Sequence, residues 1–234
     1  MEQDPVRSEF LFCVTNKARP SDTIIKLRVT KPAGDTQTLN IHRGVLCKSS
    51  GFFRTAMKPE WTKLIEQPDI IDLPDDSVQT VSDYIRWLYS GNMPIKLYDA
   101  GEDSRQKKAE EAEKVFVMLA EAYVFGEKIV DVKYKNAVVK TMLAAIQSAE
   151  WNLGPKSVDI IYKGTPSTSP LRRLVVDKVA RWAHDDSEEG VGWMEFFDAY
   201  PREALVDAVK ALVRVRSRPE HNTDRCIDSY LVKE

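Results

Sequence analysis

Between Thr23 and Val29 the apolar residues Ile25, Leu27 and Val29 alternate with Lys26 and Arg28. That is the period of a strand with one face in a core and the other in water. Nothing else constrains the fold as tightly, because such a strand needs both a neighbouring strand and an apolar cover. Candidates for both follow at once. Pro32-Ala33-Gly34-Asp35 carries turn chemistry, and Thr38 to His42 can return beside the first strand as a hairpin. Val45, Leu46, Ser49, Phe52, Phe53 and Ala56 then fall on one face of a helix. Gly51 inside it costs about 1 kcal/mol against Ala, which points to a close packing contact there.

An acidic-apolar run, Ile70-Ile71-Asp72-Leu73-Pro74-Asp75-Asp76, leads into a helix that Asp76 or Ser77 can cap. Val78, Val81, Ile85, Leu88 and Tyr89 form its expected buried stripe, and Gly91 is placed to end it. Lys96 to Lys114 is polar, holds Gly101 and the charge run Lys107-Lys108-Ala109-Glu110-Glu111, and reads as a mobile loop entering a helix. Glu110 and Lys114 are spaced as an i,i+4 pair. Helix is expected from Val115 to Phe125, with a break at Gly126. The next helix carries Ile129, Val132, Asn136, Val139, Leu143 and Ile146 inward, and Asn136 on that stripe needs a hydrogen-bond partner.

Trp151-Asn152-Leu153-Gly154-Pro155 marks the expected domain boundary. Val158 to Tyr162 is a short helix beyond it, and Ser169-Pro170 is a cap followed by a first turn. Leu171, Leu174, Val175, Val179 and Trp182 give a strong amphipathic helix. Trp193 to Tyr200 is a short element, and Pro201 opens a last helix with Leu205, Ala208, Val209, Leu212 and Val213 inward. The tail from Arg216, with Pro219 and His221, is expected to fray.

Composition excludes several classes of function. Hydrophobic residues make up 43% and charged residues 30% of the 234 positions, which suits a folded chain rather than a disordered one. With 34 basic against 36 acidic residues the net charge is -2, so no overall field draws in nucleic acid or an anionic membrane. No apolar run approaches the roughly 20 residues that span a bilayer, and Met1-Glu2-Gln3-Asp4-Pro5 lacks the pattern of a signal peptide. Cys13, Cys47 and Cys226 are few and far apart, as expected of a cytoplasmic or nuclear protein.

The sequence carries no recognisable catalytic, cofactor-binding or metal site. His42, His184 and His221 stand apart, and no paired-cysteine or zinc-protease spacing occurs. His42 with Cys47 would supply only two of the four ligands that a structural zinc needs, and Cys47 reads as a small buried hydrophobe. Nucleophile-elbow, phosphate-loop and dinucleotide-binding glycine patterns are missing. Asp75-Asp76 and Asp185-Asp186 sit at helix ends, where capping accounts for them. Arg214, Arg216 and Arg218 complement a helix C-terminus.

Several segments together carry a family resemblance. They are Ile41-His42-Arg43 before Val45-Leu46, Ser49 and Ser50 before Phe52-Phe53-Arg54, and Trp87-Leu88-Tyr89-Ser90-Gly91. Leu119-Ala120-Glu121-Ala122-Tyr123 and Lys135-Asn136-Ala137-Val138 follow. In this order and spacing the chain resembles the BTB/POZ domain, in particular its fungal members, over about Asp22 to Ile146. The resemblance implies an α+β fold: a small β-sheet flanked by a helical cluster over residues 22–150, followed by an all-α extension over 151–218. An N-terminal segment with an edge strand, residues 1–21, precedes them, and a flexible tail, residues 219–234, follows.

The resemblance also implies a protein-interaction module that mediates homo- or hetero-oligomerisation without catalysis. The alternative is an adaptor that recruits substrate to a cullin-type ubiquitin ligase. The expected partners are other proteins, a second copy of the chain or a cullin scaffold, with neither nucleic acid nor membrane among them. Some members place a buried acid and base near a dimer pocket, and Asp22 and Arg43 match those positions. Phe10, Leu11 and Phe12 can add as a strand to a neighbour's sheet edge, or serve as an edge strand within the same molecule.

Overall fold

The computed structural model describes Arg19, residues 21–30 and residues 36–216. Phe10, Leu11, Phe12, the 32–35 turn and the tail beyond 216 lie outside the described residues. Strand β1 (Ile24–Thr30) pairs antiparallel with β2 (Thr36–His42), Leu27 opposite Leu39, as the alternation requires. On its other side β1 pairs in parallel with β3 (Ile70–Leu73), which gives the order β2-β1-β3. Ile25, Leu27 and Val29 are wholly buried. Arg28, on the opposite face, meets Asp72 of β3 in a bidentate pair.

Three short helices fill the crossover from β2 to β3: α1 (Arg43–Ser49), α2 (Gly51–Ala56) and α3 (Pro59–Thr62). The single helix expected over 45–56 is therefore two. Ser50 is extended between them, and its hydroxyl accepts the N–H of Phe53, so it ends one helix by capping the next. Helix α4 (Val78–Ser90) starts on Ser77, which accepts from Thr80 N–H, and ends on Gly91 at φ 74. Its buried stripe runs through Val81, Tyr84, Trp87 and Leu88, while Val78, Ile85 and Tyr89 are only half-buried. Two aromatic rings outweigh the β-branched residues in setting that rotation. Tyr84 and Trp87 stack on each other and meet Tyr134 at 4.8 and 4.9 Å between ring centroids.

Helix α5 (Arg105–Lys128) corrects two expectations. It begins inside the charged segment, capped by Ser104, with Ala109 and Ala112 inward and Lys107 and Glu110 outward. The charge run is thus the wet face of a helix, and Lys114 pairs with Glu111 rather than Glu110. Nor does Gly126 break it. Helix α6 (Val132–Ala149) crosses there so closely that a Cβ on Gly126 would lie 2.8 Å from Lys135 Cγ.

The face of α6 also differs from expectation. Tyr134, Val138, Met142, Ala145 and Ile146 are buried, whereas Val132, Asn136 and Leu143 are exposed. Asn136 needs no buried partner in consequence. Packing of the Tyr134 ring against both Tyr84 and Trp87 fixes the rotation.

The remaining helices are α7 (Pro155–Gly164), α8 (Pro170–Trp182), α9 (Trp193–Ala199) and α10 (Arg202–Val215). One hydrophobic core runs from β1 through α5 into these helices without a gap at Trp151–Pro155. Polar ties reinforce that continuity. Glu113 of α5 accepts the N–H groups of Gly154 and Ser157 and the Ser157 hydroxyl, so α5 caps α7. Tyr200 donates to Leu153 O at 2.6 Å.

Arg172 of α8 is buried and donates to Tyr162 O, Thr165 O, Thr165 Oγ1 and Glu203 Oε1, with its guanidinium over the Tyr162 ring. It takes an inward place beside Leu171, Val175 and Val179, while Trp182, expected inward, is exposed. On α10 the inward residues are Ala204, Ala208 and Ala211, and Val209, Leu212 and Val213 point to solvent, contrary to expectation. Among the described residues no helix is long and apolar enough to cross a membrane.

Candidate interaction surface

The Ser49-Ser50-Gly51-Phe52 segment and the α5–α6 turn, Ile129-Val130-Asp131, clamp one another. Ser50 Oγ donates to Ile129 O at 2.6 Å. Gly51 and Phe52 N–H groups donate to Val130 O and Ile129 O, both at 3.2 Å. A Cβ on Gly51 would sit 3.4 Å from Val130 Cγ1 and Val130 O, so glycine lets the two segments approach. Beneath the turn lies the carboxylate of Asp131, 0% exposed. It accepts from Ser49 Oγ (2.5 Å), Tyr84 Oη (2.8 Å) and Tyr134 N–H (3.0 Å), and so caps α6 while joining α1 to α4. Burial, followed by the negative charge of Asp131, pushes the Tyr84 hydroxyl far above its ordinary pKa. Tyr84 therefore remains a neutral donor.

What the clamp holds outward is apolar. Val130 is 59% exposed with φ 55, in the left-handed region that a β-branched residue rarely occupies. Val132 and Phe52 beside it are also exposed. A second apolar group spans α3 and the turn after it, where Trp61, Leu64 and Ile65 are exposed, Leu64 at 79%. Leu64 and Ile65 N–H groups bond back to Trp61 O and Thr62 O, so this turn is ordered. Neither group was among the interaction residues expected from sequence, which set Phe52 and Val132 on buried helix faces. The signal for the first was two valines flanking an aspartate that caps a helix, a pattern that also fits an ordinary buried turn.

Asp22 and Arg43 sit at the start of α1, but they are not a buried pair. Asp22 is half-buried and accepts Gly44 N–H at 2.6 Å, while Arg43 is exposed and donates to Met57 O at 2.8 Å. Each satisfies backbone, so neither needs the other. Phe10, Leu11 and Phe12 lie outside the described residues.

His42 ties β2 to the end of α4. Its N–H donates to Tyr89 Oη at 3.1 Å, and its Nδ1 lies 2.7 Å from the same oxygen. Cys47 is half-buried with its Sγ toward Phe53 O, and burial raises its thiol pKa, which disfavours the thiolate. Asp186 caps α9, accepting from Trp193 and Met194 N–H and from Arg105. Among the described residues no cluster of three or more His, Cys, Asp or Glu could hold a metal ion.

The clamp displays Phe52, Val130 and Val132 on a turn that buried hydrogen bonds make rigid, which is what a binding surface requires.

No curated protein matches this chain. A family model does. The BTB/POZ domain model matches residues 16–141, a span that holds the three-stranded sheet, the clamp and α5, and ends inside α6. That span exceeds half of the sequence, and the chain therefore belongs to the BTB/POZ domain family.

Proposed function

We propose that this chain is a non-catalytic binding module that holds a partner polypeptide against Phe52, Val130 and Val132. The BTB/POZ domain is a protein–protein interaction module, and the α10-bearing extension, packed on α5 through a shared core, serves as a buttress for it. The observation that carries the reading is Val130. Holding a β-branched residue at φ 55 costs on the order of 1–3 kcal/mol, and Asn or Gly would fill the same turn without that cost. A valine that is both strained and wet is explained by the face it presents. Quantitative affinity purification of the tagged full chain against its Val130→Asp variant tests this. The partner set should fall away with the substitution, and equal recovery from both proteins would end the reading.

Recruitment to a cullin-type scaffold is the second reading, and the Trp61, Leu64 and Ile65 turn supports it by giving the module a second exposed apolar group with which to bridge two proteins. A pull-down with a purified cullin N-terminal region, repeated with Leu64→Asp, tests it. No complex with the unaltered chain would count decisively against it. For the N-terminal segment, strand addition by Phe10, Leu11 and Phe12 to a second copy remains our proposal. Asp22 and Arg43 serve the start of α1 in this reading rather than the partner. Light scattering on the chain with and without residues 1 to 16 distinguishes strand exchange from an intramolecular strand.

A further inference from the structure

The clamp carries a surplus of positive charge on a chain whose net charge is -2. Its two segments, residues 48–54 and 127–135, hold five cations against two acids, Glu127 and Asp131. Lys128 pairs with Asp76 at 2.7 Å and Lys135 with Glu127 at 2.8 Å. Asp131 is sealed beneath the turn, its carboxylate taken up by Ser49, Tyr84 and Tyr134. That leaves Lys48, Arg54 and Lys133, all exposed, and among the described residues none of the three enters an ion pair.

The hydrogen bonds of the clamp place these cations around the apolar group. Arg54 donates to Cys47 O at 3.0 Å and Lys48 O at 3.4 Å, which lays its guanidinium over the end of α1. Lys48 precedes Ser49, whose hydroxyl meets Asp131, and Lys133 follows Val132 at the start of α6. The N–H groups of Gly51 and Phe52 bond to Val130 O and Ile129 O, so the two segments lie side by side. Phe52, Val130 and Val132 are thus flanked by a cation on both.

We propose that the polypeptide held at this surface is an acidic segment, its apolar side chains against Phe52, Val130 and Val132 and its carboxylates at Lys48, Arg54 and Lys133. The inference rests on the reading of those three apolar residues as a partner surface, and adds the chemistry of the partner. An apolar centre inside a charged rim gives the centre the burial and the rim the choice of partner. A basic segment would meet three like charges there. A second copy of the chain fits poorly for the same reason, because a two-fold contact sets this surface against itself, cation to cation. Single-stranded nucleic acid needs a run of aromatic platforms, and the only ring in the group, Phe52, is packed edge-to-face on Phe53.

Selection of a random dodecapeptide display library on the immobilised full chain, with depletion on Val130→Asp, tests the proposal. The enriched peptides should carry a net negative charge, with apolar residues between the acids. A labelled synthetic copy of one, followed by fluorescence anisotropy, should bind at least about threefold more weakly when sodium chloride rises from about 50 to about 300 mM. The double variant Lys48→Glu with Lys133→Glu should weaken it at least about tenfold with the helical circular dichroism unchanged, since neither lysine side chain makes a bond in the fold. Neutral or basic peptides, or an affinity indifferent to both salt and the double variant, would overturn the acidic partner while leaving the Val130 surface standing. So would a labelled single-stranded oligonucleotide that binds as tightly and is lost with the same two lysines. A library with no enrichment over Val130→Asp ends the Val130 reading and this inference with it.

Discussion

Replacing Asp131 by Ala should destabilise the fold by about 3 kcal/mol, and the figure follows from what its carboxylate holds. The cap on α6 through Tyr134 N–H contributes about 1 kcal/mol. The Tyr84 hydroxyl loses its acceptor inside a sealed aromatic cluster, which costs about 2 kcal/mol. Ser49 adds little, being half-buried and able to turn toward water. Asp131→Asn retains a cap acceptor and should cost about 1 kcal/mol. Tyr84→Phe alone should cost about 1.5 kcal/mol, since it removes one bond to a charged acceptor.

The double variant decides whether this reasoning is right. With Phe at 84 no hydroxyl is orphaned, so adding Tyr84→Phe to Asp131→Ala should recover about 1 kcal/mol, whereas independent effects would lose another 1.5. Urea unfolding of the full chain followed by tryptophan fluorescence reads the difference, with roughly 1 M between the midpoints of the intact protein and Asp131→Ala. A double variant less stable than Asp131→Ala would refute the account of Tyr84 as a donor whose acceptor is Asp131.

Val130→Asn should raise the unfolding midpoint by about 1 kcal/mol in stability while reducing partner recovery, because it relieves strain and removes an exposed apolar group together. Calorimetry beside affinity purification checks both signs. Arg172→Met should cost about 3–5 kcal/mol, since Tyr162 O and Thr165 O lose their donor in the interior; thermal unfolding and protease susceptibility of the α7–α10 region would show it. Burial pushes the Asp186 carboxyl up, but Met194 and Trp193 N–H and the Arg105 guanidinium outweigh it and hold the pKa below 3.8. A folded pKa below the unfolded one gives stability that is full above 3.8 and drains as pH falls through the folded value, so Asp186→Asn should flatten the acid limb of a stability–pH curve. Glu113 runs the other way. Burial raises its pKa above 4.5 despite the bonds from Ser157 and Gly154, so its contribution weakens as pH rises past that value, and Glu113→Gln should remove that fall.

The parts of the fold legible in the sequence are those where one pattern admits one answer. Ile25, Leu27 and Val29 alternate with charges, and a strand inverted by one residue would bury Lys26 and Arg28, so register was fixed. Ser77, Gly91 and the Ser169-Pro170 pair mark helix ends because only a few residue types satisfy orphan backbone groups there. The His42, Ser50 and Trp87-to-Gly91 positions that carried the family resemblance each turn out to hold a joint: β2 to α4, α1–α2 to the α5–α6 turn, and α4 to the aromatic cluster. The charged segment misled for a local reason. Lys107 to Glu111 has no apolar stripe of ordinary width, and α5 buries only alanines there.

The surfaces were hidden for a different reason. Helices α6 and α10 each carry two apolar faces, and periodicity alone assigns the face with the larger side chains to the core. On α6 that rule chose Val132 and Leu143 over the face bearing Tyr134; on α10 it chose Val209 and Val213 over Ala204 and Ala211. In both cases packing geometry overrode apolar area. A ring that packs against both Tyr84 and Trp87, or an alanine row that admits close approach, gains dispersion contacts that a loosely seated valine cannot. The displaced valines and leucines then remain in water, where single exposed apolar residues are ordinary but neighbouring groups of them are not. Where a helix has more apolar surface than its own core can seat, the surplus is the first place to look for a partner. On this chain that reasoning leads to the turn at Val130, beside the exposed Val132 of α6.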